Sequence, residues 1–224
     1  VLLVEPIRTA PVPGATKPFA APKGWHSRGY LPHCDTPELI QSVTFGLADA
    51  SPTHLLEGWR RELDYLEEVQ AAQEERRRVM RCLDAGHGEQ WMRDPKIAEL
   101  VEGALCHFQG ERYTLHCWAV MPNHVHAMLQ CSEGISIGGV VHFWKSYPSK
   151  VANRLLGRTG AFWAEDYFDR YIRDEEHYRA TYWYIANNPL KAKLCTSPEQ
   201  YRWSSAWSGR KELFPARHGR TATT

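Results

Sequence analysis

Met121-Pro122-Asn123-His124-Val125-His126-Ala127-Met128-Leu129 is the stretch from which the rest of the chain is read. The Pro-Asn break followed by an extended run predicts the start of a β-strand. A strand sends alternate side chains to opposite faces, so His124 and His126 project together while Val125, Ala127 and Leu129 face a core. Two neutral imidazoles at that spacing can share a divalent metal if neighbouring groups fix their tautomers. Two histidines on the open face of a sheet account for the pair equally well, so the surrounding chain must decide.

Working outward, Arg112 to Val120 reads as a strand. Proline cannot donate to a ladder in mid-sheet, so Pro122 predicts a tight turn between adjacent antiparallel strands. Upstream, Asp94-Pro95 opens a helix carrying Ile97, Leu100, Val101, Leu105 and Phe108, which Gly110 closes. Before it, Ser51-Pro52 opens a long charged helix running to about Asp84, and Asp84 to Gly88 reads as a turn. Leu39 to Leu47 has the character of the first strand of the sheet. Downstream, Ser136 to about Leu156 reads as a helix kinked or split by Pro148, and Asp174 caps a last helix that stops near Asn187-Asn188-Pro189. Trp203 and Trp207 lie in a stretch expected to pack back on the body. The fold expected is α+β, an antiparallel sheet with helices packed on one face.

Composition limits the function classes. At 224 residues with 43% hydrophobic and 24% charged residues the chain is an ordinary globular domain. Residues 1–24 are rich in proline and read as a disordered leader, and 208–224 as a flexible tail around a domain at 25–207. A formal charge of +1 makes any basic surface a local one. Six cysteines without a Cys-x-x-Cys pair indicate neither a zinc ribbon nor a disulfide framework, and reduced thiols suit a cytoplasmic protein. No apolar run is long enough to span a membrane. Nine tryptophans supply core or stacking platforms for unpaired bases.

On the helix from Asp174, the residues His177, Thr181, Tyr184 and Asn188 recur at steps of four, three and four as a polar stripe, beside an apolar stripe of Tyr178, Tyr182 and Ile185. A phenol and a carboxamide are thus presented one turn apart. Tyrosine attacks phosphorus poorly at its ordinary pKa, so such chemistry needs a cation, which His124 and His126 could hold with Asn188. Plainer readings stand beside this one. A helix tyrosine is commonly a core residue, Asn-Asn-Pro is an ordinary helix stop, His177 suits a partly buried ring, and the charged run Glu67 to Arg81 suits a solvated face.

Trp118-Ala119-Val120-Met121-Pro122-Asn123-His124-Val125-His126, then Phe162 to Glu176 (Phe-Trp-Ala-Glu-Asp-Tyr-Phe-Asp-Arg-Tyr-Ile-Arg-Asp-Glu-Glu), then Tyr184-Ile185-Ala186-Asn187-Asn188-Pro189 resembles the REP-associated tyrosine transposases of the single-tyrosine HUH superfamily. The resemblance covers about residues 25 to 207. It implies a ferredoxin-like sheet with the histidines on a central strand, Tyr184 as catalytic nucleophile, and His124, His126 and Asn188 around a divalent ion, Mg²⁺ or Mn²⁺. Tyr182, the rival nucleophile, points about 160° away on the helix. The implied reaction cleaves and rejoins single-stranded or hairpin DNA at palindromic repeats through a 5′-phosphotyrosine link without ATP. Lys145, Lys150, Arg154, Arg158, Arg170 and Arg173 are the candidate phosphate contacts, with Trp144 or Trp163 available to stack on bases. Monomer and homodimer both remain open. The competing functions are a hairpin-binding protein of the same fold without catalysis, and a metal-dependent hydrolase of a small phosphoester.

Overall fold

The computed structural model describes residues 21–28, 31–36, 38–50, 62 and 68–210. The expected leader up to residue 20, most of the helix expected from Ser51 and the tail beyond Arg210 lie outside the described residues. The elements are β1 (Gly24–Arg28), β2 (Leu31–Asp35), β3 (Ile40–Gly46), α1 (Glu68–Asp84), α2 (Pro95–Cys106), β4 (Tyr113–Val120), β5 (His124–Cys131), α3 (Ile137–Leu155), β6 (Phe168–Tyr171) and α4 (Glu175–Lys191). None of the described helices is long and apolar enough to cross a membrane.

Strands β3 to β6 form one antiparallel sheet in the order β4-β5-β3-β6, and β1 pairs with β2 in a separate hairpin. The first two strands of the sheet are joined through α1 and α2, and the last two through α3. This is the ferredoxin-like α+β arrangement that the sequence led us to expect. Val43 and Phe45 of β3, Trp118 and Val120 of β4, and Val125, Ala127 and Leu129 of β5 build the main core with Val79 and Leu83 of α1, Val101 of α2 and Val140 of α3. The alternate residues Cys117, Ala119, Met121 and Met128 face the other way, where Ile185 and the flanking Tyr178 and Tyr182 of α4 cover them. The helices joining the strands thus share one face as expected, while α4 takes the opposite one, and that is the face of the histidines.

The two internal prolines do not break their helices. Pro148 sits within α3, where it removes one backbone donor. The Ser149 hydroxyl donates to the Ser146 carbonyl at 2.9 Å, a bond of the kind that keeps such a turn solvated internally. Pro189 likewise lies inside α4, which runs on to Lys191 instead of stopping at Asn188. The Ala192 amide then closes on the Asn188 carbonyl at 2.9 Å.

The hairpin β1–β2 is tied to β6 by polar contacts. Asp169 accepts from the His33 ring at 2.5 Å and from the Cys34 amide at 2.9 Å. Asp35 caps the start of α3 by accepting from the Ile137 amide at 2.8 Å. At the other edge, Ala119 of β4 bridges Ser204, and Val120 donates to the Trp203 carbonyl at 2.8 Å. The Trp203 to Trp207 stretch therefore packs on the body as expected. Packing also continues past the expected boundary at 207, because the Arg210 guanidinium is buried against Glu102.

Candidate metal and tyrosine site

The Pro122-Asn123 loop is pinned on every side. Met121 donates to the His124 carbonyl, Met92 to the Pro122 carbonyl, and Leu47 to the Asn123 carbonyl. The Asn123 side chain donates through Nδ2 to the carbonyls of Leu83 and His87 at 3.1 and 2.9 Å. Its Oδ1 is thereby fixed as an acceptor, 2.7 Å from His124 Nδ1. The proton of His124 must then sit on Nδ1, leaving a lone pair on Nε2. His126 makes the matching contact through Nδ1 to the Thr44 hydroxyl at 2.8 Å, across the β3–β5 pairing.

The two Nε2 atoms lie 2.9 Å apart and both rings are buried. Two lone pairs at that separation repel unless a proton or a cation lies between them. Burial, with a smaller effect from His126, holds the His124 pKa well below its ordinary value, so the ring is neutral and available as a ligand.

A third group completes the cluster, and the sequence reading missed it. Asp84, taken there for a turn residue, is the last residue of α1. Its Oδ1 lies 3.7 Å from each histidine Nε2, and it is buried with no hydrogen-bond partner. Its Oδ2 accepts from the Tyr184 hydroxyl at 3.0 Å. The ligand atoms of Asp84, His124 and His126 all fall within 4.8 Å of one another. One signal was available: a carboxylate in the last turn of a helix opposes the helix dipole and needs a reason to be there. Burial pushes the Asp84 pKa up, but the neighbouring His126 and His124 rings and the Tyr184 hydroxyl together hold it below its ordinary value.

Tyr184 projects from α4 over this cluster, its ring 5.4 Å from that of His126. Burial and the Asp84 carboxylate both raise its pKa, while Asn188 and the charge of Arg76 oppose them. Asn188 is buried one turn on, and its Nδ2 has no partner. Rotation of that amide would present its oxygen instead. An unpartnered carboxylate oxygen and two imidazole nitrogens fit a divalent cation, and the structure brings these three groups to one place. Tyr182 and Tyr184 both pack against the second core, and Tyr184 reaches Asp84 as well.

The six basic candidates do not gather. Lys145 Nζ donates to the carbonyls of Ala164 and Glu165 at 2.7 and 2.8 Å, and Arg158 donates to Asn153 and Ala161, so both hold the loop after α3. Lys150 lines an open groove of about 470 Å³ with His142 and Ser149, and Arg154 is exposed on the same helix. Arg170 is exposed on β6, and Arg173 is exposed just before α4. Trp144 and Trp163 are buried in the main core, which removes both as stacking platforms.

The family model described as "Transposase IS200 like" matches residues 91–188, a span that contains the histidine pair, Tyr184 and Asn188. Among solved structures, a REP-associated tyrosine transposase bound to a REP hairpin is 15% identical, with a TM-score of 0.51 over 89% of this chain and 93% of that one. A candidate transposase from Deinococcus radiodurans R1 is 16% identical, with a TM-score of 0.35 over 73% of this chain and 96% of that one. No protein of curated function matches the sequence.

Proposed function

We propose, on the match of residues 91–188 to the IS200-like transposase family, that the protein is a metal-dependent enzyme that cleaves and rejoins single-stranded or hairpin DNA through Tyr184. The observation that carries this reading is the single cluster in which the Tyr184 hydroxyl donates to Asp84 Oδ2 and Asp84 Oδ1 lies 3.7 Å from both histidine Nε2 atoms.

The residues divide the work as follows. Asp84 Oδ2 takes the phenolic proton as the Tyr184 oxygen attacks phosphorus, which supplies the deprotonation that a phenol of raised pKa needs. The phosphorus–3′-oxygen bond breaks, the 3′-oxygen leaves as a hydroxyl after taking a proton from solvent, and a 5′-phosphotyrosine bond remains. Attack by another strand's 3′-hydroxyl reverses these steps, so the bond energy is conserved. Asn123 and Thr44 hold the two rings in position through their Nδ1 atoms. His124, His126, Asp84 and Asn188 would hold Mg²⁺ or Mn²⁺, which supplies Lewis-acid polarisation of the phosphate.

The presence of nucleophile, base and ligand set together favours catalysis over hairpin binding alone. The test incubates purified protein and its Tyr184→Phe variant with labelled single-stranded hairpin DNA and Mn²⁺, and resolves covalent adducts on a denaturing gel. An adduct is expected with the wild type and at least about 1,000-fold less with the variant. Hairpin binding without any adduct would support the non-catalytic reading, and an adduct that survives in the variant would remove Tyr184 from its role.

A further inference from the structure

Helix α1 reaches α4 at its C-terminal end, where Asp84 accepts from the Tyr184 hydroxyl. At one level Asp84 bonds Tyr184, and earlier along both helices Arg76 and His177 lie within electrostatic reach of each other. The offsets are eight residues on α1 and seven on α4, so the second level sits about 11 Å from the first. The sheet between them contributes Arg170. In the β3–β6 register Arg170 pairs with Ser42 and Phe168 with Thr44, while Thr44 pairs with His126 on the other side. Cross-strand partners share a face, so Arg170 stands on the histidine face, two residues along from the row that holds the metal ligands.

The arginines at this second level differ from their neighbours. Arg77, Arg78 and Arg81 of α1 all pair with Glu74, and Arg179 of α4 pairs with Glu175. Arg76 instead donates to the Asp169 backbone carbonyl at 2.9 Å and has no carboxylate partner among the described residues. The Asp169 carboxylate is hydrogen-bonded to His33 and Cys34 and reaches Arg76 only through its charge, which burial and Arg170 outweigh. Exposed Arg170 also lacks a carboxylate partner among the described residues. Each feels the other's charge, since Arg170 is among the groups that lower the Arg76 pKa, after burial. The Arg173 amide donates to His177 Nδ1 at 3.3 Å, which leaves the proton of that ring on Nε2 as a donor. Two guanidiniums held together without an acid between them repel, and an anion offsets that cost.

We propose that Arg76 and Arg170, with His177, form a phosphate subsite that grips the backbone of the DNA strand next to the phosphate attacked by Tyr184. The subsite rests on the reading of this protein as a DNA-cleaving enzyme, but its test is one of binding and does not need the chemistry.

The measurement is the salt dependence of affinity for a labelled single-stranded hairpin oligonucleotide, with chelator present to prevent turnover. Arg76→Gln and Arg170→Gln should each lower the slope of log K against log salt by about 0.7, the value of one lost phosphate contact on a single strand. Arg76→Lys, which keeps the charge, should restore most of the slope. An unchanged slope in both glutamine variants overturns the subsite. Arg170 is exposed, so its variant reads the proposal even where Arg76→Gln fails to fold. If the slope falls but the wild type forms no adduct with Mn²⁺, the catalytic reading fails and the subsite stands. If the adduct forms and the slope does not move, the subsite fails alone.

Discussion

Asn123 shows how one side chain next to a ligand sets that ligand's chemistry. Its amide is oriented by two backbone carbonyls, and its oxygen then dictates which nitrogen of His124 carries the proton. Asn123→Ala should weaken Mn²⁺ binding by about 10- to 100-fold in isothermal titration calorimetry, the usual cost of removing such an orienting partner. Asp84→Asn should also weaken it, by removing a formal charge from the ligand set. The histidine pair was legible because strand periodicity is strict over three residues. Asp84 was not, because its role depends on where a helix ends in space relative to a strand 40 residues on, and no local pattern encodes that distance. His33 is a separate case. Burial alone would lower its pKa, but hydrogen bonds to Asp166 and Asp169 raise it to about 9. The folded value lies above the unfolded one near 6.5, so the stabilisation is complete below about pH 6.5 and is lost as the pH rises through about 9. The urea midpoint of wild type relative to His33→Gln should therefore show its largest gap at pH 6 and lose most of it by pH 9.5, with an upper limit of about 3 kcal/mol.

At the scale of elements, the site depends on how closely β3 approaches the end of α1. A Cβ added to Gly46 would stand 2.8 Å from Leu83 Cδ2 and 3.5 Å from the Asn123 carbonyl oxygen. Leu83 is buried and directly precedes Asp84, so relief of that clash moves the carboxylate. Gly46→Ala should cost about 1–3 kcal/mol in urea unfolding and should also weaken Mn²⁺ binding, although residue 46 touches no ligand atom. Element type was readable for β3, β4, β5 and the described helices, since apolar periods of two and about 3.6 separate cleanly there, but not for the short, mixed polar and aromatic strands β1, β2 and β6. Inside the helices, the reading differed at proline. At Pro148 and Pro189 tertiary packing and replacement hydrogen bonds outweigh the local penalty, so α3 continues and α4 carries Asn188 inside a helical turn instead of at its end.

On the scale of the whole molecule, both edges of the sheet are occupied. The β1–β2 hairpin flanks β6 through Asp169, and the segment from Trp203 to Ser205 lies along β4. Arg210 locks that segment by reaching Glu102 and standing 5.2 Å over the Trp118 ring. Arg210→Ala should lower stability by about 2–3 kcal/mol in urea unfolding, because it removes one of two cations from a buried carboxylate. That the segment around Trp203 and Trp207 packs back was foreseeable from its tryptophans. Its extension to Arg210 was not, since a Ser-Gly-Arg sequence carries no apolar signal. The bond between Tyr184 and Asp84 joins two residues of one polypeptide, and the covered β4 edge offers no free ladder for a second copy to extend. The proposed cleavage is therefore expected to be first order in enzyme, with the turnover of each molecule unchanged on dilution, which a rate series against protein concentration checks.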